Sequence, residues 1–138
     1  MKVILKRIQQ KQEEIYIVKE EKSKLDLNTV YEIIGACNMV EVCSYFPLLE
    51  KNNIDVLIDE EGKLKNLKPN IVIQDEGRYV IDVIAGNMLF VGVDNNGNWI
   101  ELNDRQIEIV NDFLDNLPTR KFMDKSFTFI DLKAYVFK

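Results

Sequence analysis

The sequence predicts an α+β fold, in which a mixed or antiparallel sheet, strongly curled if it closes on itself, packs against two short helices. Three observations support this prediction. Apolar and polar residues alternate along several short segments, as they do in half-buried strands. Acid- or asparagine-rich turns containing a glycine follow three of these segments, at residues 59–62, 75–77 and 94–97. Two further segments, residues 26–35 and 103–117, space their apolar residues as helices do.

The chain's 138 residues suit one domain, and 46% of them are hydrophobic, enough to bury a core without disulfides or metal. No glycine- or serine-rich linker divides it. We therefore predict a single domain, residues 1–138, made of an N-terminal hairpin (1–24), a core (25–117) and a C-terminal strand extension (118–138). No apolar run is long enough to cross a bilayer, and the N-terminus lacks signal-peptide features. We expect a cytoplasmic protein that does not engage membranes.

The net charge of −5 is unevenly distributed along the chain. Residues 1–24 carry seven Lys or Arg and four Glu, whereas residues 25–93 carry five Lys or Arg and eleven Asp or Glu. A mainly acidic surface repels phosphate backbones, which disfavours direct DNA binding. The carboxylates are also too sparse for a DNA mimic.

The N-terminal part predicts a hairpin and a helix. Residues 2–8 and 13–20 alternate as two strands, and we expect their lysines to protect an exposed edge of this hairpin. Asp26 is a suitable N-cap for the helix, and Gly35 suits the C′ position that ends it. The residues at i, i+3, i+4 and i+7 form one apolar face, namely Leu27, Val30, Tyr31 and Ile34.

The middle of the chain predicts a series of strands, at residues 37–46, 54–59, 70–74, 78–86, 87–94 and 98–102. Pro47 ends the first of them, because proline has no N–H for a ladder. Gly86 and Gly92 flank the most apolar strand and indicate a bulge or a close approach of backbone. Asn96 and Gly97 form a hairpin signal, since both tolerate a positive φ.

The second helix has the best-defined start. Asn103 at the N-cap and Gln106 at N3 resemble a capping box, and Leu102 can pack on Ile107 as a hydrophobic staple. Pro118 ends this helix. Alternation then predicts a final strand over residues 127–137.

Two cysteines, Cys37 and Cys43, lie on one predicted strand. Six residues of strand separate their Cα atoms by about 20 Å, at about 3.3 Å per residue. A disulfide needs Cα atoms within about 7 Å. We therefore expect free, buried thiols.

The loop from residue 94 raises the question of a calcium site. Asp94, Asn96 and Asn98 match the first half of a calcium-binding loop. The second half fails, because Trp99 stands where glycine is required and Arg105 where glutamate is required. The acidic loops are better explained as turns, in which Asp and Asn bond their own backbone. We predict no metal and no cofactor.

The chain contains no histidine, which excludes histidine-based triads, metal sites and general bases. Four other side chains are candidates for catalysis, namely Glu41, Asp55, Asp82 and Cys43. Each could equally be a packed or solvated strand residue. Asp82 lies in an apolar run and is a candidate buried acid, which would then need Arg78 or Lys63 as its partner.

Aromatic residues suggest a binding site instead. Arg78, Tyr79, Phe90 and Trp99 lie near the last two turns, and an aromatic beside an arginine can clamp a nucleotide base and phosphate. We take Arg78, Tyr79 and Trp99 as candidate ligand-binding residues; the alternative is a set of ordinary sheet and core aromatics. Another aromatic group could form an oligomer interface or pack within the monomer, namely Phe127, Phe129, Tyr135 and Phe137.

Three stretches, "LDLNTVYEIIGACNMVEVCSY", "IDVLIDEEGKLKNLKPN" and "VIAGNMLFVGVDNNGNWIELNDRQI", resemble an uncharacterised family of small proteins from Gram-positive bacteria, their phages and mobile elements. The family is a domain of unknown function, number thirty-eight forty-six. The resemblance covers about residues 25–115 and departs from the family at Ala36, where a second glycine is usual. The positions that fit are Gly35, Glu41, Glu61, Gly62, Lys63, Leu64, Asn70, Gly86, Gly92, Leu102, Asp104 and Ile107.

The resemblance implies a setting but no chemistry. We expect a non-enzymatic accessory binding protein of a phage or mobile element that counteracts a host defence protein or sequesters a signalling nucleotide. The partner would then be a host protein or a small nucleotide. One alternative is a small enzyme acting on nucleotides or nucleic acid through Asp82 or Glu41. Another is a structural protein that assembles as a homo-oligomer.

Overall fold

A computed structural model of the chain describes residues 1–8, 14–17, 24–35 and 38–138. Within these residues the strands are β1 (Lys2–Lys6), β2 (Glu14–Ile17), β3 (Val40–Val42), β4 (Ile54–Asp59), β5 (Pro69–Gln74), β6 (Val80–Ala85), β7 (Met88–Val93), β8 (Trp99–Ile100), β9 (Thr119–Met123) and β10 (Phe129–Val136). The helices are α1 (Leu27–Ile34), α2 (Pro47–Lys51) and α3 (Asp104–Asp115). None of these helices is long and apolar enough to cross a membrane.

The strands form two sheets, which confirms the α+β class and divides the expected curled sheet in two. The first sheet has the order β2–β1–β7–β4–β3, with β8 pairing β7, and its neighbouring strands are antiparallel. The second sheet has the order β6–β5–β10–β9. Strand β10 runs parallel to β5, and the other pairs are antiparallel. The N-terminal strands therefore belong to the first sheet.

The first sheet is buried on both faces, and β1 shows how. Val3 and Leu5 join a cluster under α1, whereas Ile4 joins the larger cluster between the two sheets. All three side chains are at most 1% exposed. The predicted alternation of β1 is confirmed, but Lys6 does not protect an outer edge. It is buried and donates a hydrogen bond to the side-chain carbonyl of Asn70.

Local capping explains where the two longer helices begin. The Asp26 carboxylate accepts from the Thr29 N–H over 2.8 Å at the start of α1. At the start of α3, Asn103 and Gln106 form the predicted capping box, each side chain bonding the other's backbone. Gln106 also donates to the carbonyl of Asn53, which ties α3 to the turn before β4.

Two elements differ from the sequence prediction. Pro47 does not end a strand, because β3 already ends at Val42; it occupies the first turn of α2, where a missing N–H costs nothing. Strand β9, in a segment without clear alternation, was not expected. Of the predicted strand at 37–46, only β3 is extended among the described residues. Cys37 lies outside the described residues, and Cys43 is a free thiol.

Three hairpin turns share one construction, and two of them are the acidic loops at 75–77 and 94–97, which confirms that these loops are turns. Residues 60–66, which include most of the third acidic loop, also form turns. The carboxylates of Asp75, Asp94 and Asp124 each accept from the N–H four residues later. The residue three positions after each aspartate has a positive φ, namely 65° at Arg78, 80° at Gly97 and 60° at Phe127. No group of three or more metal-ligating side chains lies together in the described part of the chain.

The flanking glycines mark close packing, as the sequence indicated. A Cβ on Gly92 would lie 2.5 Å from the carbonyl oxygen of Glu101. At Gly86, where φ is 90°, a Cβ would lie 2.9 Å from the side chain of Leu67. Real Cβ atoms do not approach neighbours this closely, so neither position has room for a side chain as the structure stands.

Candidate functional site

The three residues proposed from sequence to bind a ligand do not lie together. Arg78 and Tyr79 lie in the turn between β5 and β6 of the second sheet, where Tyr79 is 75% exposed. Trp99 packs against the cluster under α1, on the far side of the first sheet, and donates from Nε1 to Asp55 over 3.1 Å. Phe90 is fully buried between the sheets. The structure therefore does not bring Trp99 and the Arg78–Tyr79 turn into one clamp.

Three of the four catalytic candidates do come together. Glu41, Cys43 and Asp82 line a cleft of about 300 Å³ between β3, an edge of the first sheet, and β6, an edge of the second. Tyr45 and Lys63 also line this space, which we call the acidic cleft. Asp55, the fourth candidate, bonds Trp99 instead.

The carboxylate of Asp82 makes three polar contacts in the acidic cleft. Its carboxylate forms an ion pair with Lys63, one of the two partners expected from sequence, and accepts from the Tyr45 hydroxyl over 2.7 Å. The N–H of Val83 donates to it over 2.7 Å. Burial raises the pKa of Asp82, but these three donors outweigh burial and hold the pKa below its usual value. Asp82 is therefore an ionised, hydrogen-bonded carboxylate.

The pKa values of two neighbouring groups in the cleft, Tyr45 and Cys43, are raised. The hydrogen bond to Asp82 raises the pKa of Tyr45 to about 12, because it favours the protonated phenol. Burial raises the pKa of the Cys43 thiol to about 11. At neutral pH both groups keep their protons while Asp82 has lost its own. None of the three is close to the operating pH, where general acid–base catalysis is most efficient.

Close contacts hold the segment that follows β4. The buried carboxylate of Asp59 pairs with Lys65 over 2.8 Å and accepts from the N–H of Glu61. A Cβ on Gly62 would lie 2.6 Å from the carbonyl oxygen of Ala85, so this segment touches the end of β6. Together with the ion pair between Lys63 and Asp82, these contacts fix residues 60–68 against the second sheet.

A larger depression lies on the face of the second sheet that points away from the first sheet. It has a volume of about 780 Å³ and runs between two walls, residues 63–68 and the β9–β10 turn. Its floor is apolar and includes Val72, Phe122, Ile130 and Leu132. We call this depression the sheet groove. No described helix or strand packs on it.

The aromatic residues near the C-terminus divide between the two roles considered for them. Tyr135 packs between Phe46 and Phe113, with ring centroids 5.0 and 5.8 Å away. Phe137 meets Tyr45 edge-on at 5.5 Å. Phe127 and Phe129 are 83% and 65% exposed. Two of the four therefore contact the monomer's aromatics, and two are exposed on the β9–β10 hairpin.

Sequence reasoning missed the sheet groove for a physical reason. Its floor combines β5 with β9 and β10, and the parallel pairing of Ile71 with Lys133 joins positions far apart in the chain. Alternation within a strand shows which residues share a face, but not which strands become neighbours. The only local signal was the apolar set Ile130, Leu132 and Ala134 on one face of the last strand.

Comparison with known proteins places the chain in a family. The model of the domain of unknown function DUF3846 matches residues 1–117, from β1 to the end of α3. The match is wider than the resemblance seen at residues 25–115, because it includes the N-terminal strands, and it stops before β9 and β10. No curated protein and no solved structure matches the chain. Because the family model covers most of its length, the chain belongs to the DUF3846 family.

Proposed function

We propose that this protein is a non-enzymatic binding protein that engages a partner protein through the sheet groove. The observation that carries the proposal is the recessed apolar floor of the groove, which lies between two walls held by specific contacts. Val72 and Leu132 of this floor are buried, and Phe122 and Ile130 are half-buried. Apolar grooves rimmed by polar residues mark interaction sites. The side chain of Met123, which is 54% exposed, adds apolar surface at the β9–β10 wall.

The positions of the ligand candidates favour a protein over a nucleotide. A nucleotide clamp needs an aromatic face and a guanidinium around one ligand. Trp99 is held by Asp55 on the other side of the first sheet, so Arg78 and Tyr79 would have to bind a nucleotide without it. No arginine lines the sheet groove, and its floor is apolar, so it lacks the guanidinium of such a clamp and suits apolar side chains.

The family suggests a setting for this binding. We propose an accessory protein of a phage or mobile element in the bacterial cytoplasm, with a host defence protein as its partner. The sheet groove combines family residues on one wall with residues 118–138, outside the family match, on the other. The partner would accordingly be a property of this chain and not of every family member.

A second candidate is a small enzyme acting on nucleotides or nucleic acid at the acidic cleft. The observation in its favour is that Glu41, Cys43 and Asp82 share one cleft. The pKa shifts of Cys43, which is raised, and of Asp82, which is lowered, weigh against it, because neither group is poised to exchange a proton near neutral pH. Replacing Asp82 by asparagine would abolish turnover of any nucleotide or nucleic-acid substrate if this candidate were correct.

Site-specific photo-crosslinking tests the proposed binding face. A photoreactive amino acid is placed at Lys68 or Met123, exposed positions on the two walls of the sheet groove, and the full chain is expressed in a Gram-positive host. Matched control positions are Glu41 in the acidic cleft and Lys51 at the end of α2. We expect one crosslinked protein species from the groove positions only. Equal crosslinking from the control positions, or none from the groove, would exclude the proposal.

A further inference from the structure

We infer that the sheet groove receives an acidic amphipathic helix of the partner protein. This inference rests on the proposed function and names the chemistry of the partner segment. Two features of the groove lead to it, the charge of its walls and the architecture of its floor.

The walls of the sheet groove are basic in an acidic protein. Three lysines, Lys63, Lys68 and Lys125, and one acid, Asp124, line the groove. The lining therefore carries +2 in a chain whose net charge is −5, which leaves −7 on the remaining residues. Such a separation of charge attracts acidic partners to the groove and repels basic ones.

Two of these lysines are available to a partner. Lys68 lies on one wall and Lys125 on the other, and both are exposed. Neither forms an ion pair with a described residue. The nearby carboxylate of Asp124 is engaged by the turn, since it accepts from the N–H groups of Ser126 and Thr128. Lys63 is already paired with Asp82, so its charge is less available to a partner than those of Lys68 and Lys125.

The floor of the groove lies on a face of the second sheet that another layer of secondary structure could cover. One face of the second sheet is buried against the first sheet and α3, through Ile71, Ile73 and Ile84. The other face carries the groove floor and has no described helix or strand on it. A sheet with an apolar face is stable when a second layer covers that face. A helix with apolar residues at i, i+3, i+4 and i+7 supplies one, and its flanks would then reach both walls.

Other occupants fit the groove less well. A second copy of this chain docked groove to groove would place the basic walls of the two copies against each other, and like charges repel. A lipid bilayer presents a broad surface, whereas the apolar floor is recessed between its walls. An acidic helix meets both requirements, because it enters the depression and neutralises the walls.

Two synthetic peptides test the inference with the full chain. Each has about 15 residues, near the minimum for an isolated helix, with leucine at i, i+3, i+4, i+7 and i+8. One carries glutamate at the flanking positions and the other lysine. Calorimetric titration at low ionic strength should show about tenfold tighter binding of the glutamate peptide, which corresponds to about 1.4 kcal/mol. Circular dichroism should show that the bound glutamate peptide is helical.

A charge reversal supplies the matched control. The Lys68→Glu, Lys125→Glu double variant should lose the preference for the glutamate peptide or invert it. The Lys51→Glu, Lys138→Glu variant makes the same change of charge at exposed positions outside the groove, and it should keep the preference. Both variants should unfold at the same urea concentration as the parent, since all four side chains are exposed.

Four results would overturn the inference. The first is equal binding of the two peptides, and the second is an unchanged preference in the groove variant. The third is binding of the glutamate peptide in a non-helical form. The fourth is that neither peptide binds, while anionic phospholipid vesicles bind in a way that depends on Lys68 and Lys125. A dimer that Ile130→Asp disperses would assign the groove to a second copy and overturn it as well. Crosslinking of a partner at Lys68 and Met123 together with equal binding of the peptides would leave the proposed function standing and remove only the acidic helix.

Discussion

The hydroxyl of Tyr45 donates a hydrogen bond of 2.7 Å to Asp82, and this contact connects the two sheets across the acidic cleft. Tyr45 follows β3 of the first sheet, whereas Asp82 lies on β6 of the second. The same carboxylate pairs with Lys63, which begins one wall of the sheet groove. Asp82 thus joins the cleft to the groove, and we assign it a positioning role in place of a catalytic one.

Replacing Asp82 by asparagine should change the titration of Tyr45. The carboxylate raises the pKa of Tyr45 to about 12, so its loss should bring that pKa towards the ordinary value of about 10. Ultraviolet difference titration of the folded protein measures the change, and Tyr45→Phe identifies the tyrosine responsible. The variant should also lose about 1 kcal/mol of unfolding free energy, because a partly exposed ion pair and a hydrogen bond disappear. An unaltered tyrosine titration would contradict the assigned contact.

The contribution of the Tyr45–Asp82 pair to stability should depend on pH at both extremes. The folded-state pKa of Asp82 is depressed, so its contribution is present above the unfolded value of about 3.9 and is lost as pH falls through the folded pKa. The folded-state pKa of Tyr45 is raised, so its contribution is present below about 10 and is lost as pH rises through about 12.

The measurement is the difference in unfolding free energy between the parent chain and Asp82→Asn, obtained from urea titrations over a range of pH. We expect a constant difference between about pH 4 and pH 10 and a smaller one outside that window. A difference that grows on acidification would mean that the folded-state pKa of Asp82 lies above its unfolded value, which would contradict the hydrogen bonds and ion pair assigned to its carboxylate.

Two glycine substitutions should separate packing from backbone conformation. Gly92→Ala forces a methyl group against the carbonyl oxygen of Glu101, 2.5 Å from the new Cβ, and should cost about 2 kcal/mol or more as the strands shift. Gly97→Ala meets nothing within 4 Å but has a φ of 80°, so it should cost about 1 kcal/mol through backbone strain alone. Equal losses in chemical denaturation would argue against the close approach of β7 and the segment after β8.

Phe127 combines a left-handed backbone with an exposed aromatic ring. Its φ is 60° and its side chain is 83% exposed, so the folded monomer gains little from the phenyl group. Phe127→Asn should stabilise the monomer by about 0.5 kcal/mol, because asparagine tolerates this conformation better. Loss of stability on substitution would show that Phe127 supports the fold.

Local sequence signals were sufficient for the elements but not for their arrangement. The capping box at Asn103 and Gln106, the N-cap Asp26 and the aspartate turns depend on residues within four positions of one another, and each prediction was confirmed. The partner of Asp82 was foreseen only as a choice between Arg78 and Lys63. The division into two sheets depends on the long-range parallel pairing of β5 with β10, which no local pattern specifies.

Local sequence signals also failed to group the candidate ligand-binding residues correctly. Arg78, Tyr79 and Trp99 were grouped because their turns are close in sequence, yet the turns lie on different sheets with Trp99 facing α1. Lys6 shows a related effect, since an outward lysine was expected and the side chain is buried against Asn70. Hairpin turns fix local geometry, but sheet packing decides which turns meet.

The central claim is that the sheet groove binds a partner protein. Native mass spectrometry of the chain recovered gently from a Gram-positive bacterial lysate tests it most directly. We predict a stoichiometric protein complex for the parent chain and for Glu41→Lys in the acidic cleft, and none for the Lys68→Glu, Met123→Glu variant of the groove. A chain free of protein partners, a retained small molecule that Arg78→Ala removes, or a complex insensitive to the groove variant would contradict the claim.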